Sequence, residues 1–266
     1  MRIPHKKGYA AGPFGQLHYM VCGAGIPLVM VHQCPDSMVQ FVPVMESLAQ
    51  HGIQAIAVDI PGYGMSDVPD HPPSIGEYAQ IIPAIMDHFD LDTANLLGHH
   101  TGALVVTDAA LQFPERTEKL ILNGPLPLTD EERDYFKGSM AAEKTWGIEW
   151  DGSHLAAQWN HRKNAQTEWN DIKSFHTHFV HGLLAGQTIW YAHEAVMAYK
   201  HEDAIPKIKK PCLILANTGD AIYAMSQRAR EMRPDFAYTE LTGGTIDIID
   251  EQPEQWSAAV AVFLES

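Results

Sequence analysis

Asn95-Leu96-Leu97-Gly98-His99-His100-Thr101-Gly102-Ala103-Leu104-Val105-Val106 is the stretch on which the fold of this chain turns. A short apolar run feeds a Gly-x-x-x-Gly turn, and an apolar run of helical character follows, which predicts strand, sharp turn and helix. The residue at the apex of such a turn takes strained backbone angles. Glycines two positions before and after it let strand and helix approach closely, leaving one side chain at the tip. Here that side chain is the imidazole of His100.

Toward the N-terminus, residues 16–22 read as a strand, Gly23-Ala24-Gly25 as a turn, and 27–31 as a continuous apolar run suited to a strand buried on both faces. The loop His32-Gln33-Cys34-Pro35-Asp36-Ser37 follows. Residues 38–51 are helical in spacing, Gly52 ends that helix, and 54–58 is another buried strand running into Asp59-Ile60-Pro61-Gly62-Tyr63-Gly64-Met65-Ser66. A helix over 75–89 leads to the turn. Beyond it the helix is expected to reach about residue 113, and 119–123 reads as a strand. Strand, helix, strand repeated in this way implies parallel pairing with helices on both faces. The ligand crevice then lies at the carboxyl ends of the strands, where all these loops fall.

From about residue 125 to 205 the character changes. β-branched runs disappear, and Trp146, Trp150, Trp159, Trp169 and Trp190 gather with His154, His161, His176, His178, His181 and His193. This predicts a helical cap over 125–205, inserted into an α/β core of residues 1–124 and 206–266. The alternation resumes with a strand over 212–216, a helix over 221–232, a strand over 237–241 and a closing helix over 253–264.

The 266 residues, 45% hydrophobic, suffice for a large core, and 18 Lys and Arg against 33 Asp and Glu give a formal charge of -15. That charge repels phosphate backbones and anionic lipid surfaces, so neither nucleic acid nor membrane is expected as a partner. Residues 1–7 lack a signal-peptide apolar segment, no run approaches a membrane span, and Cys22, Cys34 and Cys212 form no disulfide framework. The expectation is a cytoplasmic monomer or homodimer that binds a small molecule and needs no cofactor.

The ordered set of motifs resembles the α/β-hydrolase superfamily. His32-Gln33 stands at the oxyanion-loop position, followed by Asp59-x-Pro-Gly-x-Gly-x-Ser66, the turn at His100 in the place of the nucleophile elbow, a cap after the sixth strand, and Asp220 after Leu213-Ile214-Leu215-Ala216. The resemblance covers nearly the whole chain outside the cap and implies a mostly parallel, doubly wound sheet. It also implies a Ser, or less often Cys or Asp, at the apex, where this chain has His100. The acid position is matched by Asp220, but the family's histidine, a few residues before a Glu-x-Pro, is missing: the segment from Leu241 to Pro253 contains none. The usual Ser–His relay with its acyl-enzyme therefore cannot be written.

What the resemblance leaves is an oxyanion hole made by the backbone N–H groups of Thr101 and Gln33. Histidine, with an ordinary pKa near 6.5, can serve as a general base at neutral pH, and Asp220 would orient the His100 ring. His32, Trp190 and Tyr191 are the candidate substrate-binding residues, with His32 also bracing the oxyanion loop. Structural roles are expected for His99 as a hydrogen-bonded core residue, for Cys34 as an inert thiol, and for Asp59 and Ser66 within their turn. His176, His178 and His181 read as a solvated helix face in preference to a metal site.

Two classes of function stay open. One is a cofactor-free enzyme acting on a small apolar or aromatic carbonyl compound, cleaving an ester, a lactone or a carbon–carbon bond, or moving a proton as a lyase or isomerase. The other is a ligand-binding member of the fold without turnover. A ring nitrogen of His100 left open toward a cavity distinguishes the first from the second.

Overall fold

The computed structural model describes residues 4–266; Met1 to Ile3, part of the start read as lacking a signal segment, lie outside the described residues. The strands are β1 (Lys6–Gly12), β2 (Gly15–Cys22), β3 (Ile26–Val31), β4 (Ile53–Val58), β5 (Ala94–His99), β6 (Thr117–Asn123), β7 (Cys212–Asn217) and β8 (Ala237–Leu241). They form one sheet in the order β1-β2-β4-β3-β5-β6-β7-β8. Only β1–β2 and β2–β4 pair antiparallel; the rest is parallel, as expected. Every residue of β5 and β7 is buried, since helices cover both faces of the sheet. Strand β1 is absent from the sequence reading. Its only fully buried residue is Ala10, so this edge strand carries no apolar alternation to read.

The helices before β6 are α1 (Val42–Gln50), α2 (Ile75–Tyr78), α3 (Ile81–His88) and α4 (Thr101–Gln112). Between β6 and β7 lie α5 (Asp130–Met140), α6 (Ser153–Asn164), α7 (Ile172–Leu183), α8 (Tyr191–Ala198) and α9 (His201–Ala204), and after β7 come α10 (Tyr223–Met232), α11 (Ile248–Glu251) and α12 (Pro253–Glu265). Proline breaks two helices that the spacing predicts as continuous. Pro43 has no N–H for a carbonyl one turn back, so a 3-10 turn at Met38–Phe41 precedes α1. Pro83 separates α2 from α3 in the same way.

Alternate residues of the central strands feed a core on each face. Val29, Val31, Ile56 and Leu96 pack toward α3 and α4. Leu28, Met30, Ala57 and Leu97 pack toward α1 and α12, where buried Trp256 donates from Nε1 to Asn123 Oδ1 at 2.7 Å. This sandwich fixes the strand ends on which the site is built. Among the described residues no helix is long and apolar enough to cross a membrane.

Candidate active site

Strand β5 ends at His99 and α4 begins at Thr101, so His100 stands alone between them with φ 48° and ψ -110°. Such a backbone is strained by about 1–3 kcal/mol in an L-residue and persists only where its surroundings impose it. Here the His100 amide donates to Asn123 O at 2.9 Å, and the His100 carbonyl accepts from the Ala103 amide at 2.8 Å. A Cβ on Gly98 would lie 2.1 Å from the carbonyl of Gly102, and one on Gly102 2.1 Å from Val31 O. Strand and helix touch backbone to backbone, which only this glycine pair permits.

The His100 side chain, 14% exposed, reaches the loop after β7, where its Nε2 lies 2.8 Å from Asp220 Oδ2. Asp220 Oδ1 accepts from the Ile222 amide at 3.0 Å, and Gln166 of the inserted segment grips the same loop by accepting from the Ala221 amide at 3.2 Å. Because the carboxylate can only accept, Nε2 of His100 carries the hydrogen and Nδ1 the lone pair. Nδ1 has no hydrogen-bond partner among the described residues. The ring borders a cavity of about 520 Å³.

The oxyanion loop differs from expectation in one donor. The Gln33 amide donates to Gln40 Oε1 at 3.1 Å, so it is already engaged, and it is the Gln33 side chain that lines the cavity. The amide of Cys34, one position on, and that of Thr101 have no partner among the described residues. Burial, aided by the Asp36 charge, pushes the Cys34 thiol well above its ordinary value, so it stays protonated.

His32 does not reach the cavity. Its Nδ1 donates to Gln33 O at 2.6 Å and its Nε2 accepts from the Ile60 amide at 2.9 Å, so both nitrogens are used within the core. It braces the loop from within the core. Trp190 and Tyr191, the other candidate substrate-binding residues, likewise do not line this cavity. Ile189 and His193, four apart on one face, take the cavity side at the start of α8. Trp190 turns instead to a separate pocket beneath Lys144, whose Nζ lies 4.6 Å from the ring centroid, and Tyr191 packs edge-on against it at 4.7 Å.

His99, His100 and Asp220 bring potential ligand atoms within 4.8 Å of one another. Whether they suit a metal turns on a tautomer. Gln40 Oε1 is taken by the Gln33 amide, so the Gln40 NH₂ faces His99 Nδ1 at 3.3 Å. His99 therefore accepts at Nδ1 and keeps its proton on Nε2, a buried donor without a partner. Burial, with the nearby imidazole of His100, holds it neutral, well below its ordinary pKa. A cation would need the Nε2 lone pair that this arrangement denies, so the trio does not fit a divalent metal.

The opposite wall comes from the inserted segment and from the loop after β8. Arg162 Nη2 donates to both Asp247 oxygens at 2.7 and 2.8 Å. His178 lies 2.8 Å from Asp36 and 2.7 Å from Asp250, and at 1% exposure it contradicts the solvated face expected for it. Against the burial that would lower it, Asp36 and Asp250 hold His178 well above the ordinary histidine value. Burial would raise Asp36, yet His178 keeps it low. His176 stays exposed, while His181 bonds Ser37 Oγ at 3.1 Å.

Higher on the wall, buried Glu143 accepts from His193 Nδ1 at 2.7 Å and lies 3.3 Å from His161 Nε2. These two imidazoles pull its pKa to about 2 in spite of burial. His193 is raised, against its own burial, by Glu143, and its Nε2 donates to Cys34 O at 2.9 Å. Phe136, Met140, Trp146, Phe179 and Ile246 supply apolar lining, beside the uncharged polar Gln33, Ser139, Gln158 and Asn164. Sequence reasoning missed Glu143, Arg162 and Asp247, because each lies on a different segment and none forms a local motif.

Among proteins of known name, the (E)-2-((N-methylformamido)methylene)succinate hydrolase of Acinetobacter baylyi is 24% identical, with 94% of each chain covered. The bifunctional epoxide hydrolase 2 of Sus scrofa is 32% identical over 119 residues, a match that covers 42% of this chain and 21% of that longer protein. The structure of an esterase from Exiguobacterium antarcticum superposes with a TM-score of 0.83 at 19% identity, covering 98% of this chain and 100% of the other. That of an enol-lactonase from Burkholderia xenovorans gives 0.78 at 18%, covering 97% and 100%. At 18–19% identity the two superpositions show the fold alone. A family model for the alpha/beta hydrolase fold matches residues 26–222. With that match and the sheet order described above, the chain belongs to the α/β-hydrolase fold family.

Proposed function

We propose that the protein is a cofactor-free hydrolase of a small, uncharged carbonyl compound, an ester or a lactone, in which His100 is the general base and Asp220 its orienting partner. In this reading residues 125–205 act as a cap over a core of 1–124 and 206–266. One observation carries the proposal: the His100 ring is anchored at Nε2 by Asp220 while Nδ1 stays without a partner at the edge of the cavity. Nδ1 takes a proton from water, and the hydroxide formed attacks the carbonyl carbon. The charge that develops on the carbonyl oxygen is met by the amides of Thr101 and Cys34. Neither a serine nor a thiolate stands at the apex, so no acyl-enzyme forms there on oxygen or sulfur.

An uncharged substrate is favoured because the cations of the wall already face carboxylates, Arg162 against Asp247 and His178 against Asp36 and Asp250. The Acinetobacter baylyi relative matched over 94% of each chain, itself named as a hydrolase, supports hydrolysis. The test is turnover of a panel of aryl esters and lactones. His100→Ala is expected to lower kcat by roughly 10²–10⁴-fold, the usual worth of a general base, with the fold intact. Asp220→Asn should lower it less, because an amide keeps the ring in place but not the charge opposite the imidazolium. The double variant should be little worse than His100→Ala alone. Simple multiplication of the two losses, or full activity in His100→Ala, would overturn the reading.

A further inference from the structure

Four imidazoles border the cavity: those of His100, His161, His178 and His193. Two are held between charges or acceptors on both sides, His178 in ion pairs with Asp36 and Asp250 at 2.8 and 2.7 Å, and His193 hydrogen-bonded to Glu143 and the Cys34 carbonyl. The other two share one arrangement. Each turns Nε2 toward a buried carboxylate, His100 toward Asp220 and His161 toward Glu143, and among the described residues neither has a hydrogen-bond partner at Nδ1.

Ester cleavage needs a proton on the departing oxygen as well as a base on the attacking water. In the loop after β8, where the resemblance implies a histidine able to serve both steps, the residue at the cavity is Ile246, an aliphatic chain that can donate nothing. We propose that His161, oriented by Glu143, is the general acid that protonates the leaving group. This rests on the role proposed for His100.

The proton count closes. His100 Nδ1 takes a proton from water, the new C–O bond forms, and the intermediate collapses as the old C–O bond breaks. The departing oxygen takes its proton from Nδ1 of His161, which enters the step as the imidazolium opposite the Glu143 carboxylate and leaves it neutral, its remaining hydrogen on Nε2. His100 then releases its proton to solvent and His161 regains one, so ester plus water gives acid plus alcohol. The Trp146 and His161 rings pack perpendicular to each other, their centroids 5.0 Å apart.

The experiment is leaving-group dependence, which a merely structural residue does not move. His161 is 33% exposed at its side chain, and His161→Gln keeps a donor for Glu143 while removing the acid. Acetate esters of 4-nitrophenol, phenol and a simple alkyl alcohol are compared by kcat/KM. The 4-nitrophenyl ester, whose anion leaves unaided, should keep its rate within about threefold, and the alkyl ester should lose about a hundredfold. An equal loss on all three esters, or no loss, overturns the acid role. If His100→Ala is inactive while His161→Gln loses uniformly, only this inference falls. Should the wild type turn over none of the esters, or His100→Ala keep full rate, the hydrolase reading fails and takes this inference with it.

Discussion

Gly124 sets how closely the His100 ring can approach Asp220. A Cβ there would lie 2.4 Å from His100 Cδ2, 2.7 Å from Nε2 and 3.4 Å from Asp220 Oδ2, and the residue holds φ 62°, a left-handed conformation that a side chain resists. Gly124→Ala should therefore fold with a loss on the order of 1 kcal/mol while the ring is pushed off its carboxylate. Because displacing a reacting group by about 1 Å can cost on the order of a hundredfold, turnover should fall far more than thermal stability. Parallel melting curves and kcat values check this; equal retention of both would mean that the ring tolerates displacement. At this scale the apex and its acid were legible, since a turn framed by two glycines and a loop at a strand end are local patterns. His32 and the Gln33 amide were not. Their roles depend on partners at Ile60 and Gln40, and no local rule reveals that a buried N–H has been claimed from elsewhere.

Among the elements, the parallel strands were read correctly because burial on both faces writes itself as unbroken apolar runs, whereas edge strand β1 and the helices split at Pro43 and Pro83 were not. The buried face of α7 was present in the spacing: Phe175, His178 and Gly182 recur at three and four residues. Histidine on that face disguised it as polar. The same hidden polarity joins α6 to the loop after β8, where Arg162 is the cation bonded to Asp247, a carboxylate whose pKa burial raises even against Arg162. Arg162→Ala should destabilise by about 3–5 kcal/mol, because it strands a buried charge. Adding Asp247→Asn should recover much of that loss, since the charge is then gone. Urea unfolding of the two single variants and the double variant tests the pair. Losses that add without recovery would show that Arg162 stabilises through its stacking on Trp169 and Phe175, which lie 4.9 and 5.1 Å from the guanidinium.

Over the whole molecule five buried or partly buried histidines divide into two opposed sets. Burial holds His32, His99 and His201 below the ordinary value, His201 at about 3. His178 and His193 are held above it, against burial, by Asp36, Asp250 and Glu143. For the first set, the unfolded chain binds protons below about pH 6.5 that the folded chain refuses, so stability falls as pH drops from there. For the second set, the folded chain keeps protons that the unfolded chain releases. That stabilisation is complete below about pH 6.5 and is lost as pH rises through the folded values. Each group contributes a slope of up to about 1.4 kcal/mol per pH unit within its own window. Asp36 and Glu143, both lowered, stabilise above the ordinary carboxylate range and steepen only the far acid side as pH falls through their folded values. Stability against urea should therefore peak near pH 6.5 and decline in both directions. His178→Gln should remove about half of the alkaline decline, since His193 remains, and also reduce the far-acid decline, because Asp36 then loses the imidazolium that keeps it low. A stability that stays level from about pH 6.5 to 8.5 in the wild type would mean that neither imidazole carries its charge in the folded protein.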